Sequence, residues 1–511
     1  MSRLFPWLTL VAIIWLQAIS STNTDFPAYS SQLKSRLAIT QVQLNNLAVA
    51  SDAGKLFGWL CGLVADSFPL WSVLAAGSAI GLVGYGVQFL FLADKIATLS
   101  YWQYVLLQLL AGNSVCWFNT ACYVAAMRKF PLDSGVVIGL ATSYTGLTAK
   151  MYVTMAQIVT GKRSSGGGDN SVYLLLNCAV PLGFALFAAP FLAESKPAMK
   201  GNGAGLFVVF LIACATGAYA VVQTLVPALG SSLIPPTVLL GMVGLVCLVP
   251  LLRAGDQMLR RRSRNRINAA GNVLEEVEEV RGPGGSEEVE EGKSGSGVGG
   301  EHGVWWLVRS VDFWLYFLVY LTGATMGLVF GNNLGQIAQS RRVRQSDLLS
   351  VYSSFGFFGK LSAAPLSALS RSKYMVSRPA SVAILMVPMA GSFFLLLIPN
   401  TISLFVGTAI IGACSGAITS IAVSMTSDLF GPQHFSVNHN IVVANIPLGS
   451  LVFGYISAII YDQEGGGAVE GSCVGVRCYR KTFLVWGSIC TLGTVMSFIL
   501  YIRTKKLLTR N

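Results

Sequence analysis

The chain has 511 residues, of which 53% are hydrophobic and only 11% are charged. Soluble globular proteins carry about 25% charged residues, so this composition excludes an ordinary soluble domain and indicates a polytopic membrane protein. The formal net charge of +12 does not call for nucleic acid as a partner. Basic residues that flank membrane spans and set their orientation account for it.

Apolar stretches long enough for membrane helices follow one another along the chain. The first begins at Leu4, follows only Arg3 and ends without a convincing cleavage site, so we expect a retained span and not a removed signal peptide. Fourteen spans are predicted, with 12 as the alternative. They cover about 4–28, 43–66, 69–93, 99–126, 134–159, 170–194, 203–228, 234–253, 304–333, 345–369, 376–398, 401–425, 436–461 and 480–503.

These spans predict an all-α protein of two six-helix halves with two additional central helices. We expect an N-terminal half over about 1–200, the additional helices over about 201–253 and a C-terminal half over about 304–511. The segment at about 254–303 is basic, then acidic, and rich in Gly and Ser, which predicts a disordered loop. Its run RRRSRNR, Arg260–Arg266, lies close to a span end and favours a cytoplasmic loop with both termini cytoplasmic.

A short repeat links the two predicted halves. It lies on the second helix of each six-helix block, about fifty residues after the block begins. Two related halves are the architecture of many secondary transporters, which hold the substrate between them. The repeat comprises Gly54, Lys55 and Leu56 in the first block and Gly359, Lys360 and Leu361 in the second.

The first span carries polar residues where lipid would be expected. If the helix runs to about Ala28, then Gln17, Ser21 and Thr24 share one face, and an unsatisfied polar face in hydrocarbon is costly. We therefore expect it to line a cavity; polar contacts between helices are the alternative. The predicted lining residues on this and other spans are Gln17, Ser21, Asn23, Thr24, Asn113, Asn119, Tyr144, Lys150, Tyr316, Tyr320 and Asn445.

Charged residues within spans are either paired or functional. Asp52 and Lys55 are three residues apart on one helix and can neutralise each other, and the same spacing predicts a structural pair of Arg309 with Asp312. For Lys150 we favour a role in anion binding or proton coupling over a structural ion pair. For Lys360, near the cytoplasmic end of its span, we favour an ion pair or a side chain that reaches the interface.

Two of the ten cysteines, Cys473 and Cys478, lie clearly outside the apolar runs. On an oxidising side of the membrane they would form a disulfide, and two free thiols are the alternative. No metal site or cofactor is predicted, because the chain has only three histidines and no metal-ligand spacing. We also expect no enzyme and no ATP-driven pump, since a nucleophile elbow and a Walker loop are missing.

Several stretches resemble known families. The segment GLVAD, Gly62 to Asp66, resembles the start of the major facilitator loop motif, although SFPLW replaces the basic residues that usually follow. The segments TNTDFPAYSSQLK, QLNNLAVASDAGKLFG, GYGVQFLFL, AGNSVCWFNTACYV, FPLDSGVVIGL, SDLFGPQHFSVNHN and CVGVRCY resemble the plant nodulin-like proteins related to nuclear fusion defective 4. The resemblance covers nearly the whole chain. It implies a major facilitator fold and a plant membrane protein, and it implies no substrate.

The leading hypothesis is a secondary active transporter that moves a small solute across a lipid bilayer by alternating access. A lysine in the path favours a small organic anion, with or without a coupled proton. The alternative is a sensor or scaffold that does not transport and signals through the 254–303 loop. A membrane enzyme ranks third. The solute, the coupling ion, the host membrane, the protein partners and the oligomeric state stay open at this point.

Overall fold

The computed structural model describes residues 5–160, 170–193, 203–225, 234–252, 304–370, 377–464 and 473–508. Within these ranges every regular element is helical and there is no β-strand. The predicted loop at 254–303 lies outside the described residues, so its disorder stays a prediction. The division into domains likewise remains a proposal.

The helices form fourteen rods across the described ranges, labelled α1 to α14, and each label includes the short 3-10 or π turns of its rod. We call α1–α6 the first half and α9–α14 the second half. The first eight rods are α1 (Phe5–Ser20, Thr22–Asp25 and Phe26–Leu37), α2 (Gln41–Ala53, Gly54–Phe57 and Gly58–Ser67), α3 (Leu70–Leu92), α4 (Tyr101–Lys129), α5 (Ser134–Tyr144, Thr145–Leu147 and Thr148–Thr160), α6 (Ser171–Ala193), α7 (Gly203–Leu225) and α8 (Ile234–Gly244 and Leu245–Cys247).

A short helix, Val304–Arg309, precedes the second half. The remaining rods are α9 (Val311–Tyr320, Leu321–Thr325 and Met326–Ser340), α10 (Gln345–Ser370), α11 (Arg378–Leu395), α12 (Thr401–Phe430), α13 (Phe435–Val443 and Asn445–Glu464) and α14 (Arg477–Leu508).

Eleven helices of the described chain are long and apolar enough to cross a membrane. The protein is therefore an integral multi-pass membrane protein. The other three rods are α5 and α10, which carry Lys150 and Lys360 along their length, and α8, whose apolar stretch Thr237–Leu252 is shorter. Most predicted span ends agree with the observed rods to within a few residues.

Side-chain caps fix where two helices of the first half begin. The Thr40 hydroxyl accepts a hydrogen bond from the Gln43 backbone N–H, and the Gln43 side chain accepts one from the Thr40 N–H. Ser100 and Gln103 form the same reciprocal pair at the start of α4. These caps satisfy backbone donors that the first turn of a helix leaves unpaired, so α2 and α4 both begin immediately after their capping residue.

Glycines let the second and fourth helices of each half touch through their backbones. A Cβ atom at Gly54 would lie 2.2 Å from the Leu109 carbonyl oxygen on α4. A Cβ atom at Gly359 would lie 2.0 Å from the Ala413 carbonyl oxygen on α12. Both glycines open the Gly-Lys-Leu repeat, so the repeat marks an equivalent helix contact in the two halves. Small residues at such crossings allow close packing inside a membrane.

Helix breaks account for two differences from the sequence predictions. The first helix does not run unbroken to Ala28, because it ends at Ser20 and Ser21 leaves the helical region (φ −82°, ψ 51°). The second difference concerns Arg309 and Asp312, which do not share a helix turn. Ser310 between them is extended (φ −78°, ψ 129°), and Asp312 instead accepts a hydrogen bond from Arg503 on α14 at 2.5 Å.

The backbone contact at Gly359 predicts a stability difference between two glycine variants. We expect Gly359→Ala to destabilise the protein by about 1–3 kcal/mol, because α10 and α12 must separate to admit the methyl group. Thermal unfolding in detergent measures the effect. Gly391→Ala on α11 is the matched control, since nothing lies within 4 Å of a Cβ atom there and alanine favours the helix. Equal melting temperatures for the two variants would contradict the prediction.

Candidate functional site

A cavity of about 1790 Å³ lies between the two halves. Its lining residues come from α1, α2, α4 and α5 in the first half and from α9, α10, α12 and α13 in the second. The contributing rods are thus the first, second, fourth and fifth of each half. Amide and hydroxyl side chains dominate the polar wall, and the charged lining residues are three lysines and one aspartate, Lys34, Lys55, Lys360 and Asp52.

The cavity reaches one end of the helix bundle. Its lining includes Lys34 and Ser35 near the end of α1, and Gln339 and Gln345 at the junction of α9 with α10. We call this end the mouth side and the opposite end, where α1 begins, the closed side.

Contacts between the halves fill the closed side. Ser436 on α13 donates a hydrogen bond to Asp66 of the predicted loop motif. A Cβ atom at Gly62, the first residue of that motif, would lie 2.7 Å from the Ser436 carbonyl oxygen. On the other flank a Cβ atom at Gly139 on α5 would lie 2.6 Å from the Ala364 nitrogen on α10. This conformer is therefore open at the mouth side and tightly packed at the closed side.

Hydrogen bonds between the halves form the floor of the cavity. Thr142 on α5 and Ser420 on α12 bring their hydroxyl oxygens within 2.7 Å. The Asn440 amide on α13 donates to the Thr120 hydroxyl on α4 at 2.8 Å. Thr142, Thr120 and Asn440 also line the cavity, so the same groups that close the floor face its interior.

Irregular turns lie at the level of the cavity in four rods. They are the 3-10 turns Thr22–Asp25, Gly54–Phe57 and Thr145–Leu147, and the π turn Leu321–Thr325. Each turn contributes lining residues. Irregular backbone at membrane depth is tolerated where it is buried in protein or lines a watery cavity, and isolated π turns are frequent at functional sites.

Asp52 joins a lysine of its own helix to the other half. One carboxylate oxygen lies 2.6 Å from Lys55 Nζ, and the other accepts a hydrogen bond from Ser450 Oγ on α13 at 3.0 Å. The sequence predicts this ion pair from its spacing but not the bond to Ser450. Any motion that separates α2 from α13 at this level must break that bond.

Lys360 lies in the cavity wall and not at a membrane interface. Its ammonium donates to the Thr145 hydroxyl on α5 at 2.5 Å. No described carboxylate lies within ion-pair distance of Lys360. The preference for an interfacial or ion-paired Lys360 is therefore wrong for this conformer: α10 passes through the centre of the bundle, so the side chain meets the floor of the cavity before it can reach an interface.

Five of the predicted lining residues contact the cavity and six do not. Those that line it are Ser21, Asn23, Thr24, Asn119 and Tyr320. The six others occupy contacts between helices, which is the alternative stated for the polar residues of the spans. They are Gln17, Asn113, Tyr144, Lys150, Tyr316 and Asn445.

Local hydrogen bonds explain why these side chains point away. Gln17 donates to Asn119 Oδ1 at 2.9 Å, and the Tyr316 hydroxyl donates to the Ala422 carbonyl at 2.7 Å. Lys150 donates to the Ala220 carbonyl on α7. Lys150 follows the 3-10 turn Thr145–Leu147, whose tighter winding changes the helical phase of the rest of α5 and directs the lysine outward to α7.

The other two buried amides serve packing inside each half. Asn113 donates to the Gly54 carbonyl at 2.9 Å, next to the backbone contact between α2 and α4. Asn445 accepts a hydrogen bond from Thr325 of the π turn in α9. The first bond satisfies a backbone carbonyl and the second satisfies a side-chain hydroxyl, so these amides stabilise the walls without facing the cavity.

His439 and Asn440 line the cavity, and the sequence prediction did not include them. His439 Nδ1 lies 3.1 Å from the Thr426 hydroxyl, and its ring stacks on Phe435 at a centroid distance of 5.2 Å. The sequence analysis named their segment SVNHN only as part of the family resemblance.

For Lys360, the sequence feature that could have indicated a place in the cavity wall is the Gly-Lys-Leu repeat, since both repeat lysines line the cavity.

A disulfide joins Cys473 and Cys478. It joins the connection after α13 to the first turn of α14, at the mouth side. The Cys473 N–H donates to the Tyr461 hydroxyl at 3.1 Å, and the Gly475 N–H donates to the Ser340 carbonyl at 2.9 Å. These bonds hold the bridged turn against the end of α9, beside the opening of the cavity.

Two protein-family models match the sequence along its length. Residues 6–253 match the description Nodulin-like, and residues 296–510 match NFD4, C-terminal domain. Protein NUCLEAR FUSION DEFECTIVE 4 of Arabidopsis thaliana is 40% identical to this chain, over 98% of this chain and 89% of that protein. The chain belongs to the nodulin-like family. The predicted family resemblance is thereby confirmed.

Similarity to transporters is more distant. A Yarrowia lipolytica protein named "Probable transporter MCH1" is 23% identical over 37% of this nodulin-like chain and 42% of its own length. FucP, a major facilitator transporter in the outward conformation, superposes with a TM-score of 0.52 at 11% identity, over 98% of this chain and 99% of FucP. The proton:xylose symporter XylE gives 0.56 at 10% identity, over 97% and 95% of the two chains. The nodulin-like chain has the major facilitator fold.

The disulfide predicts how many cysteines react with a maleimide mass tag. We expect eight tags per unfolded chain without reductant and ten after reduction, because Cys473 and Cys478 are protected only while they are bonded. Cys473→Ser is the control and should carry nine tags without reductant, since Cys478 is then free. Ten tags on the unreduced wild type would contradict the bridge.

Proposed function

We propose that the protein is a secondary active transporter that moves a small solute across the bilayer by alternating access. The cavity between the halves carries the proposal. It is walled equally by both halves, reaches one end of the bundle and is packed shut at the other. Alternating access requires such a site at the interface of two related halves. The protein must be able to close this site toward one side of the membrane and then toward the other.

Orientation follows from the disulfide and the basic loop. Disulfides persist on oxidising sides of membranes, and the Cys473–Cys478 bridge lies at the mouth side. We therefore propose that the mouth faces the extracytoplasmic side. The start of α1 is then cytoplasmic, as the arginine run Arg260–Arg266 predicts for the termini. The observed conformer would accordingly be outward-open.

The charges of the cavity favour a small organic anion as the solute. Three lysines and one aspartate line it, and a cavity with an excess of one sign concentrates the opposite ion. Asp52 already neutralises Lys55. Lys360 donates to the Thr145 hydroxyl, whose own hydrogen is donated to the Thr142 carbonyl, and its remaining N–H groups can bind a carboxylate. Amide groups elsewhere in the wall, such as Asn119, can donate further hydrogen bonds to a carboxylate. We assign Lys360 as the primary anion contact.

The proton is the coupling ion that the relatives suggest. XylE is named as a proton:xylose symporter, and a third structure of the same fold, with a TM-score of 0.55 at 11% identity over 99% of this chain and 100% of its own, is described among proton-dependent oligopeptide transporters. A monovalent anion that enters with one proton crosses without net charge, so the membrane potential does not oppose its uptake.

A single lysine variant tests the anion assignment. We expect Lys360→Gln to lower the initial uptake of the transported anion about 10- to 100-fold, since a charge-assisted hydrogen bond contributes about 1.5–3 kcal/mol. The measurement is uptake of radiolabelled acetate, pyruvate, malate and citrate into liposomes that contain the purified protein.

Lys150→Gln is the matched control, because Lys150 contacts α7 and not the cavity. Its uptake should stay within about twofold of the wild type. Lys360→Arg should recover part of the lost uptake, because it restores the charge. Equal losses in the two glutamine variants would reject Lys360 as the anion contact. Failure of the wild type to move any solute from a broad panel would reject transport itself.

A further inference from the structure

A cluster of polar side chains lies beside the cavity floor, where α4 of the first half faces α13 of the second. A hydrogen bond from Asn440 to the Thr120 hydroxyl joins the two helices there. The Tyr123 and His439 rings meet edge to face at a centroid distance of 5.6 Å. We call this group the α4–α13 cluster. It consists of Asn119, Tyr123, His439 and Asn440, and all four residues line the cavity.

The His439 ring is held so that one of its nitrogens faces the cavity. Nδ1 lies 3.1 Å from the Thr426 hydroxyl, which donates its own hydrogen to the Ala422 carbonyl at 3.0 Å. Nδ1 therefore carries the proton of this pair, and Nε2 of the neutral ring keeps a lone pair. Nε2 has no hydrogen-bond partner in the described part of the chain. His439 is 5% exposed and lines the cavity, so the cavity is where Nε2 can accept a hydrogen bond.

Asn440 adds a second acceptor beside this nitrogen. Its amide nitrogen donates to the Thr120 hydroxyl at 2.8 Å and to the Ser436 carbonyl at 2.7 Å. Both N–H groups are thereby used, and the orientation of the amide is fixed. Oδ1 accepts no hydrogen bond from any described residue, and it is not sealed off from solvent. Because Asn440 lines the cavity, this oxygen is available to a solute.

The α4 side of the cluster supplies hydrogen-bond donors. Asn119 Oδ1 accepts from the Gln17 amide at 2.9 Å, so the NH2 group of Asn119, which donates to no described residue, is left for the cavity. Tyr123 lies one helical turn further along α4, and its hydroxyl can donate or accept. The cluster thus offers donors from the first half and acceptors from the second half.

These acceptors exclude a bare carboxylate and fit a hydroxyl group. An ionised carboxylate accepts hydrogen bonds and donates none, so it would leave His439 Nε2 and Asn440 Oδ1 unpaired, which is unfavourable in a desolvated site. A hydroxyl can accept from Asn119 and donate to either acceptor. An ammonium group could also donate, but the one carboxylate of the described cavity wall, Asp52, already pairs with Lys55. The excess of lysines further disfavours a cationic group.

We propose that the solute is a hydroxylated organic anion, whose hydroxyl binds to the α4–α13 cluster while its carboxylate binds to Lys360. This inference rests on the proposed transport function, because it takes the anion contact from there. The two contacts lie on different flanks of the cavity, since Lys360 bonds to Thr145 on α5 and the cluster lies between α4 and α13. Lys360 attracts any small organic anion, whereas His439 selects those that carry a hydroxyl.

Binding of matched acids tests the proposed class of solute. The probes are radiolabelled glycolate, lactate and malate, each paired with the acid that lacks only its hydroxyl, namely acetate, propionate and succinate. Equilibrium dialysis against the purified full-length protein in detergent measures the dissociation constants. In at least one pair the hydroxylated acid should bind about 10- to 100-fold more tightly, because two hydrogen bonds are lost without the hydroxyl. Alanine, which has an ammonium group in place of the lactate hydroxyl, should bind no more tightly than propionate.

Histidine variants test which residue reads the hydroxyl. His439→Phe keeps the aromatic ring between Phe435 and Tyr123 but has no acceptor, so the preference for the hydroxylated acid should fall to about twofold or less. His439→Gln should recover part of the preference, since its amide oxygen can accept in place of Nε2. Lys360→Gln should weaken both members of a pair and keep their ratio. His434→Phe is the matched control and should leave the ratio unchanged, because His434 does not line the cavity.

The outcomes separate the solute class from transport itself. The proposal is overturned if the wild type prefers no hydroxylated acid, whether both members of each pair bind equally or neither binds, and this result does not depend on the fold of any variant. An unchanged ratio in His439→Phe would also overturn it. Selective binding without uptake into liposomes would retain the cluster and reject transport, whereas uptake without selectivity would retain transport and reject the cluster.

Discussion

The structure depends on one constraint: polar backbone and side-chain groups inside a bilayer must find partners within the protein or face water. In four rods the regular helix is interrupted by a 3-10 or π turn that contributes to the wall of the cavity. Where a polar side chain points away from the cavity it meets a protein partner, as Gln17 meets Asn119 and Asn445 meets Thr325. The irregular turns thus depend on the cavity, because their polar groups need water or protein partners inside the bilayer.

The two halves repeat this solution with different chemistry. Lys55 and Lys360 occupy equivalent places in the Gly-Lys-Leu repeat, and both line the cavity. Asp52 accompanies the first lysine, whereas the second meets only the Thr145 hydroxyl in the described structure. Gly54 and Gly359 make similar backbone contacts in the two halves. The lysine that follows each glycine therefore lines the same cavity, but only the charge of Lys55 is neutralised by an aspartate. This asymmetry between matched positions is what gives the proposed site a preference for anions.

Much of the fold was predictable from the sequence, and the site only in part. Apolar runs and their spacing predict the helices closely, since hydrophobic length is a strong and local signal. The directions of the side chains were not predictable in the same way, because a short 3-10 turn rotates everything that follows. Lys150 was expected in the path and contacts α7, whereas Lys360 was expected in an ion pair or at an interface and lines the cavity. Similarly, the spacing of Arg309 and Asp312 suggests a shared helix turn, which the extended Ser310 interrupts. The break at Ser21 coincides with the start of the polar run Ser20–Asp25, a signal that allows either a helix end or a polar helix face.

The glycine crossings have a mechanical consequence. Within each half, α2 with α4 and α10 with α12 touch backbone to backbone, and such contacts leave no slack for sliding or repacking. Across the seam, hydroxyl and amide groups such as Thr142, Ser420 and Ser450 make single hydrogen bonds, each contributing about 1 kcal/mol and each replaceable by a water molecule. The boundary itself is tight only at the closed side, where Gly62 and Gly139 approach the backbone of the other half, and it is open at the mouth side. A molecule built in this way deforms least by tilting two solid blocks against each other, with the boundary acting as the pivot.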